Sequence, residues 1–256
     1  MGEFDGKTIL ITGGGSGIGL ATAARLVREG ANVVLAGRRA DRVETAAKEL
    51  DPAGGRAIGV VADVSRTDSL DNLIAAVRTR YGRLDGVFAN AGVPFSSPSE
   101  LVSEKDFDRV LDINLKGVFF TIQKSVPLFD RGGFVVINGS VMAHRGLGLA
   151  SVYAAAKAAA TNLTRTLASD LADKSIRVNA VSPGFTRTEM LDEVAPTEQA
   201  REAIRAQIPL GEFGEPEQVA DVVTFLLSSR AGYVTGQDLG VDGGLANSVP
   251  MSAGSR

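Results

Sequence analysis

Seven short runs of apolar, mostly β-branched residues recur along the chain: KTILITG (7–13), NVVLAG (32–37), AIGVVADV (57–64), LDGVFANAG (84–92), GFVVINGS (133–140), IRVNAVSPG (176–184) and QDLGVDGG (237–244). Most are continuous rather than alternating, as strands are when both faces are covered. Segments of helical period separate them, among them 17–30, 40–50 and 69–82. Strand–helix alternation from end to end predicts a parallel sheet with helices on both faces, joined by right-handed crossovers. In the first helix, Ile18, Ala21 and Leu26 are placed for a buried stripe, with Gly30 at its end. In the second, Asp41 and Glu44 read as a capping box. The predicted fold class is α/β, a doubly wound parallel sheet. No linker or repeat interrupts the pattern, so 1–256 is read as a single domain. The stretch 186–215 is a long excursion of the kind used for binding loops, and 247–256 reads as a loose tail.

Composition removes whole classes of function. The chain has no cysteine and one histidine, His144, which excludes disulfides, thiolate catalysis, cysteine zinc sites and two-histidine metal motifs. No metal is expected. A net charge of −3 without a Lys/Arg-rich run gives no reason for a nucleic-acid or anionic-membrane partner. No uncharged apolar segment reaches the length of a membrane span. The start, MGEFDGKTILITGG, does not read as a signal peptide, so a cytoplasmic location is expected.

The first run leads into TGGGSGIG (12–19), which then opens a helix. Its glycines do not fit G-x-G-x-x-G; they fit Gly13-x-x-x-Gly17-x-Gly19. Glycines at this junction let a pyrophosphate approach the backbone, and the helix start offers free N–H groups. Gly13, Gly15, Ser16, Gly17, Ile18 and Gly19 are therefore candidate cofactor contacts. An NAD site places an acid at the end of the second strand to meet the ribose 2′-hydroxyl. Here that place reads AGRR, and Arg38 and Arg39 would grip a 2′-phosphate. NADP is favoured on this ground, with NAD as the alternative. Asp63, beside Val64, reads either as an acceptor for an adenine amino group or as a strand-end cap. Asn90, Ala91 and Gly92 end the fourth run with small residues suited to a nearby ligand.

Tyr153 and Lys157 stand four apart in the alanine-rich helical segment 151–172 and so share a face. A free tyrosine titrates near ~10, and an ammonium one turn away favours tyrosinate, moving the phenol toward working range. Ser140 ends the fifth run, at the sheet edge where ligands bind. Asn114 lies in the otherwise apolar LDINLKGVFF, where an amide implies a cap, a kink or a buried hydrogen bond.

From Lys7 to about Gly244 the chain resembles the classical short-chain dehydrogenase/reductase family. The matching pieces are TGGGSGIG, ADV (62–64), NAG (90–92), Asn114 in NLKG, Ser140, Tyr153-A-A-A-Lys157 and PGFTRT (183–188), with thirteen residues from Ser140 to Tyr153. The resemblance implies a single-domain, Rossmann-type, seven-stranded parallel sheet of order 3-2-1-4-5-6-7. It implies hydride transfer between nicotinamide C4 and a ketone or secondary alcohol. Tyr153 would be the general acid/base, Lys157 would hold the nicotinamide ribose, Ser140 would hydrogen-bond the substrate oxygen, and Asn114 would fix a water leading to Lys157. Pro183, Gly184, Phe185, Thr186 and Thr188 would contact the nicotinamide end. Two positions depart from the pattern: Gly139, where many relatives carry serine, and Ser16, where some NADP-preferring relatives carry a basic residue. Family tetramers pack through 101–130, 151–173 and the last strand, so a homotetramer is expected.

Substrate walls are expected from Val93, Pro94, Met142, His144, Leu149, Phe185 and Met190, a mostly apolar set that suits a moderately hydrophobic ketone or alcohol. His144 reads either as a substrate contact or as a loop histidine. The alternatives are a 3-oxoacyl-thioester reductase, an NAD-dependent alcohol or sugar dehydrogenase, and a dinucleotide-binding regulator. A regulator would be expected to lose Tyr153 or Lys157.

Overall fold

The computed structural model describes residues 2–130 and 132–249; of the tail expected at 247–256, residues 250–256 lie outside this range. The strands are β1 (Thr8–Thr12), β2 (Asn32–Gly37), β3 (Ala57–Val61), β4 (Gly86–Ala89), β5 (Gly133–Asn138), β6 (Ile176–Pro183) and β7 (Asp238–Val241). All seven pair in parallel in one sheet of order β3-β2-β1-β4-β5-β6-β7. The order reverses between β1 and β4, and the crevice there is where such sheets bind ligands.

Helices α1 (Gly17–Arg28), α2 (Ala40–Leu50) and α9 (Pro216–Leu226) cover one face. Helices α3 (Thr67–Tyr81), α5 (Gly117–Ser125) and α6 (Ser151–Asp170) cover the other. Alternate residues of β1 serve the two cores: Ile9 and Ile11 belong to the core that holds Leu26, Val43 and Val223, and Leu10 to the one that holds Leu70, Leu73 and Ile122. All three are fully buried, each contributing roughly 1.5–3 kcal/mol relative to exposure. This two-sided burial is why the strand runs read as continuous. Among the described residues no helix is long and apolar enough to cross a membrane, and no cluster of His, Asp or Glu is placed to hold a metal.

Two local expectations are corrected. The buried face of α1 is Gly19, Thr22, Ala23 and Leu26, with Ile18 and Ala21 only half-buried. The glycine loop sets this rotation: Gly19 presses so closely on the loop that a Cβ there would lie 2.3 Å from the Gly13 carbonyl oxygen. In α2, Arg39 is the N-cap and no side chain caps the helix. The β2–α2 turn is so short that Asp41 already lies in the first turn, where its charge suits the helix dipole.

The excursion folds into α7 (Glu189–Val194) and α8 (Glu198–Arg205). Leu191, Ala195, Ile208 and Phe213 form a small separate core with Val141 and Met142, just beyond Ser140. The excursion is thereby fastened over one end of the crevice.

Candidate active site

A cleft of about 850 Å³ runs along the C-terminal ends of the strands. One end is formed by Arg38 and Arg39 after β2 with Asp63 and Val64 after β3. Gly13, Gly15, Ser16, Gly17 and Ile18 form its middle, opposite Asn90, Ala91 and Gly92. The far end holds Ser140, Tyr153 and Lys157, with Pro183, Gly184, Phe185, Thr186 and Thr188 beside them. Val93, Pro94, Met142 and Met190 wall that end. Gly19 lies beneath the loop rather than on the cleft. Asp63 does cap locally, its Oδ1 accepting from Ser65 N at 3.0 Å and Ser65 Oγ at 2.7 Å, while the residue still faces the cleft.

A chain of hydrogen bonds ties the middle of the cleft to its far end. Thr12 Oγ1 accepts from Asn90 N and Ala91 N, both at 3.1 Å. Asn90 Nδ2 donates to Thr12 O at 2.9 Å and Gly13 O at 3.2 Å. Asn138 Nδ2 donates to Asn90 Oδ1 at 2.8 Å, and Lys157 Nζ donates to the Asn138 carbonyl at 2.8 Å. Asn138 was not singled out from the sequence. Its signal was available, because an Asn ends β5 much as Asn90 follows β4.

Asn114 is fully buried in a wide, π-helical turn, Asp112–Lys116, between α4 (Glu104–Leu111) and α5. Its Nδ2 donates to Val110 O at 3.0 Å and Val93 O at 3.1 Å, and its Oδ1 accepts from Val93 N at 3.2 Å. The amide therefore pins the strand-end segment 90–93 to the helix. Gly92 separates it from Lys157: a Cβ at 92 would lie 2.8 Å from Asn114 Oδ1 and 3.4 Å from Lys157 Nζ. Only glycine lets both groups come so near.

Ser140 begins a short turn, its Oγ accepting from Met142 N at 3.1 Å. Tyr153 and Lys157 project from the first two turns of α6. Burial pushes the Tyr153 phenol up, and the neighbouring Ser140 hydroxyl offsets part of that rise. Burial pushes the Lys157 ammonium down to about 8. Desolvation, rather than the expected pull of Lys157, sets the direction for Tyr153. Lys157 Nζ stands 5.9 Å from the ring centroid and is turned to Asn138. A neutral phenol, a hydroxyl and a buried ammonium facing one cleft can exchange a proton with a ligand oxygen.

Two expected wall residues do not line the cleft. His144 turns toward β7, its Nε2 lying 2.6 Å from Asp238 Oδ2 and 3.3 Å from Ser182 Oγ. Leu149 has a left-handed backbone (φ 70°) that carries its side chain into solvent, and Leu147 lines the mouth instead. Arg42 and Glu189 also line the cleft without having been singled out. Arg42 lies in the first turn of α2, three residues past the N-cap Arg39, so the helix start read from the sequence could have found it; Glu189 meets it only through tertiary structure.

Comparison with known proteins agrees with this geometry. The family described as enoyl-(acyl carrier protein) reductase matches residues 13–246. The 3-oxoacyl-(acyl-carrier-protein) reductase of Thermotoga maritima is 40% identical over 245 residues, covering 95% of this chain and 99% of that protein. The 3beta-hydroxysteroid dehydrogenase 1 of Eggerthella lenta is 40% identical over 250 residues, covering 95% of each. The crystal structure of levodione reductase superposes with a TM-score of 0.90 at 37% identity, covering 95% of this chain and 98% of that one. The chain belongs to the classical short-chain dehydrogenase/reductase family and is an oxidoreductase that moves a hydride between a nicotinamide dinucleotide and a carbonyl or alcohol carbon.

Proposed function

We propose that the protein is an NADP(H)-dependent reductase of moderately hydrophobic ketones, running also as a secondary-alcohol dehydrogenase. The observation that carries the cofactor choice is Arg38, which lines the cleft at the end of β2 with no carboxylate partner among the described residues. A guanidinium there suits a phosphate dianion and offers nothing to two ribose hydroxyls that an acid would not offer better. The remaining residues fit the dinucleotide. The glycine loop faces the cleft with Gly13, Gly15, Ser16 and Gly17, and Lys157 spends one N–H on Asn138, leaving two for ribose hydroxyls.

When bound, the nicotinamide supplies or takes up the hydride at C4. Tyr153, held protonated by burial, gives its Oη proton to the carbonyl oxygen in reduction and takes it back in oxidation. Ser140 Oγ donates a hydrogen bond to that oxygen as charge develops on it. The Lys157 ammonium stabilises the phenolate left behind. Asn114 fixes a water that refills the proton by way of Lys157. Met142, Met190 and Leu147 exclude water around the reacting carbon.

The same reading takes the chain as one domain working in the cytoplasm as a homotetramer. Support for assembly lies in the exposed Ala155, Ala158 and Ala159 of α6 and in Leu101 and Phe107, which stand in solvent. Small side chains allow close helix approach. A second reading, reduction of 3-oxoacyl thioesters, draws support from the likeness to the Thermotoga maritima enzyme. Following nicotinamide absorbance with NADPH against a panel of ketones and 3-oxoacyl thioesters separates the two. Absence of oxidation with every carbonyl would sink both.

A further inference from the structure

Arg39 and Arg42 are already engaged by a carboxylate. Glu189, the first residue of α7, accepts from Arg42 Nη1 at 2.5 Å through Oε1, and its Oε2 lies 3.5 Å from Arg39 Nη2. The contact lies on the rim of the cleft, above the glycine loop. Arg42 packs on Gly15, where a Cβ would lie 3.3 Å from Arg42 Cβ; Thr188 packs on Gly17, where a Cβ would lie 3.1 Å from its methyl. Glu189 thus joins the excursion to the cofactor-selecting end of α2 across the loop that would hold the pyrophosphate.

We propose that Glu189 is a specificity-determining residue for the cofactor: its carboxylate occupies guanidiniums that a 2′-phosphate would use, and so weakens the binding of NADP relative to NAD. The proposal rests on the reading of Arg38 and Arg39 as the 2′-phosphate site. A phosphate monoester brings nearly two negative charges and seeks bidentate guanidinium contacts. The Glu189 pairs are about half-exposed, so they yield cheaply to a stronger anion. The carboxylate itself stays near, because α7 is anchored by the buried Leu191, and it then faces the dianion as a like charge. A cofactor with a free 2′-hydroxyl meets no such repulsion. The selectivity of the site is therefore set by a balance between three arginines and one glutamate.

The test uses adenosine fragments, so that no turnover is involved. Dissociation constants of 2′,5′-ADP and 5′-AMP are measured calorimetrically for the native protein, Glu189→Gln and Arg38→Gln. The 5′-phosphate is common to both fragments and cancels in their ratio. Glu189→Gln should tighten 2′,5′-ADP by about fivefold to tenfold, leave 5′-AMP within about twofold, and lose this gain at roughly 0.5 M salt, as an exposed charge effect must. An equal change in both fragments, or weaker binding of 2′,5′-ADP, overturns the proposal. Arg38→Gln probes the underlying reading separately. If it leaves the ratio of the two fragments unchanged, Arg38 is not a 2′-phosphate contact, whatever the glutamate variant does.

Discussion

Lys157 and Arg38 are both cations on one cleft without a carboxylate partner among the described residues, yet they live in different media. Lys157 is 3% exposed, holds one carbonyl, and has its pKa pushed down to about 8 by burial alone. Arg38 stands in solvent beside Arg39, Arg42 and Glu189. At the buried end a single group is decisive, because nothing screens it. At the exposed end the number and sign of charges matter, and water and salt temper each one. The two ends of the cavity are thus electrostatically distinct media.

Replacing Tyr153, the proposed acid, tests the buried end most severely. Tyr153→Phe should lower ketone turnover by roughly a thousandfold while leaving dinucleotide affinity within about twofold, as for a group acting in the transition state. Rates and a fluorescence titration measure the two; retained turnover would assign the proton to another group.

Lys157→Met should alter the pH dependence of stability in the dinucleotide-free protein. The folded chain releases the Lys157 proton near pH 8, whereas the unfolded chain keeps it to about 10.5. Between these values the unfolded state binds more protons, so this group makes stability rise with pH. The gap is worth roughly 3 kcal/mol. Urea unfolding at about pH 7 and about pH 10 should show that rise in the native protein and its loss in the variant; parallel pH slopes would contradict it.

At the exposed end, Arg38→Asp should move the ratio of kcat/KM for NADP over NAD toward NAD by roughly tenfold to a hundredfold, the value of one charge-assisted contact. A native protein that already favours NAD would refute the reading of AGRR. The smallest expected effect is that of salt. Raising it to roughly 0.5 M should shrink the NADP advantage a few-fold while leaving the saturated rate of ketone reduction nearly unchanged. Equal sensitivity of both would dissolve the contrast.

The sheet was legible because the two cores leave a mark on most of its strands: continuous apolar runs broken by glycine-rich ends. Ser140, Tyr153 and Lys157 were legible as a cluster because Ser140 follows a strand end and the other two are four apart on one helix. Other features came from contacts that sequence spacing does not encode. His144 pairs with Asp238 far along the chain, and Glu189 meets Arg42 from across the cleft. Desolvation of Tyr153 depends on what the excursion places over it, so local spacing to Lys157 could not show that burial raises its titration. The amide of Asn114 announced an irregularity, but whether it was a cap, a kink or a buried bond needed the wide turn and the Val93 contacts together.

The seam between β1 and β4 has a kinetic consequence. Ile9 pairs with Gly86 there, after β2, β3 and three helices have intervened. Closing so long a loop is entropically slow, and the contacts that reward it form late. The glycine loop and the FANAG segment face each other only once the seam is shut. A dinucleotide bridging them finds no site in earlier species, so it restrains the escape of the folded chain without hastening its formation.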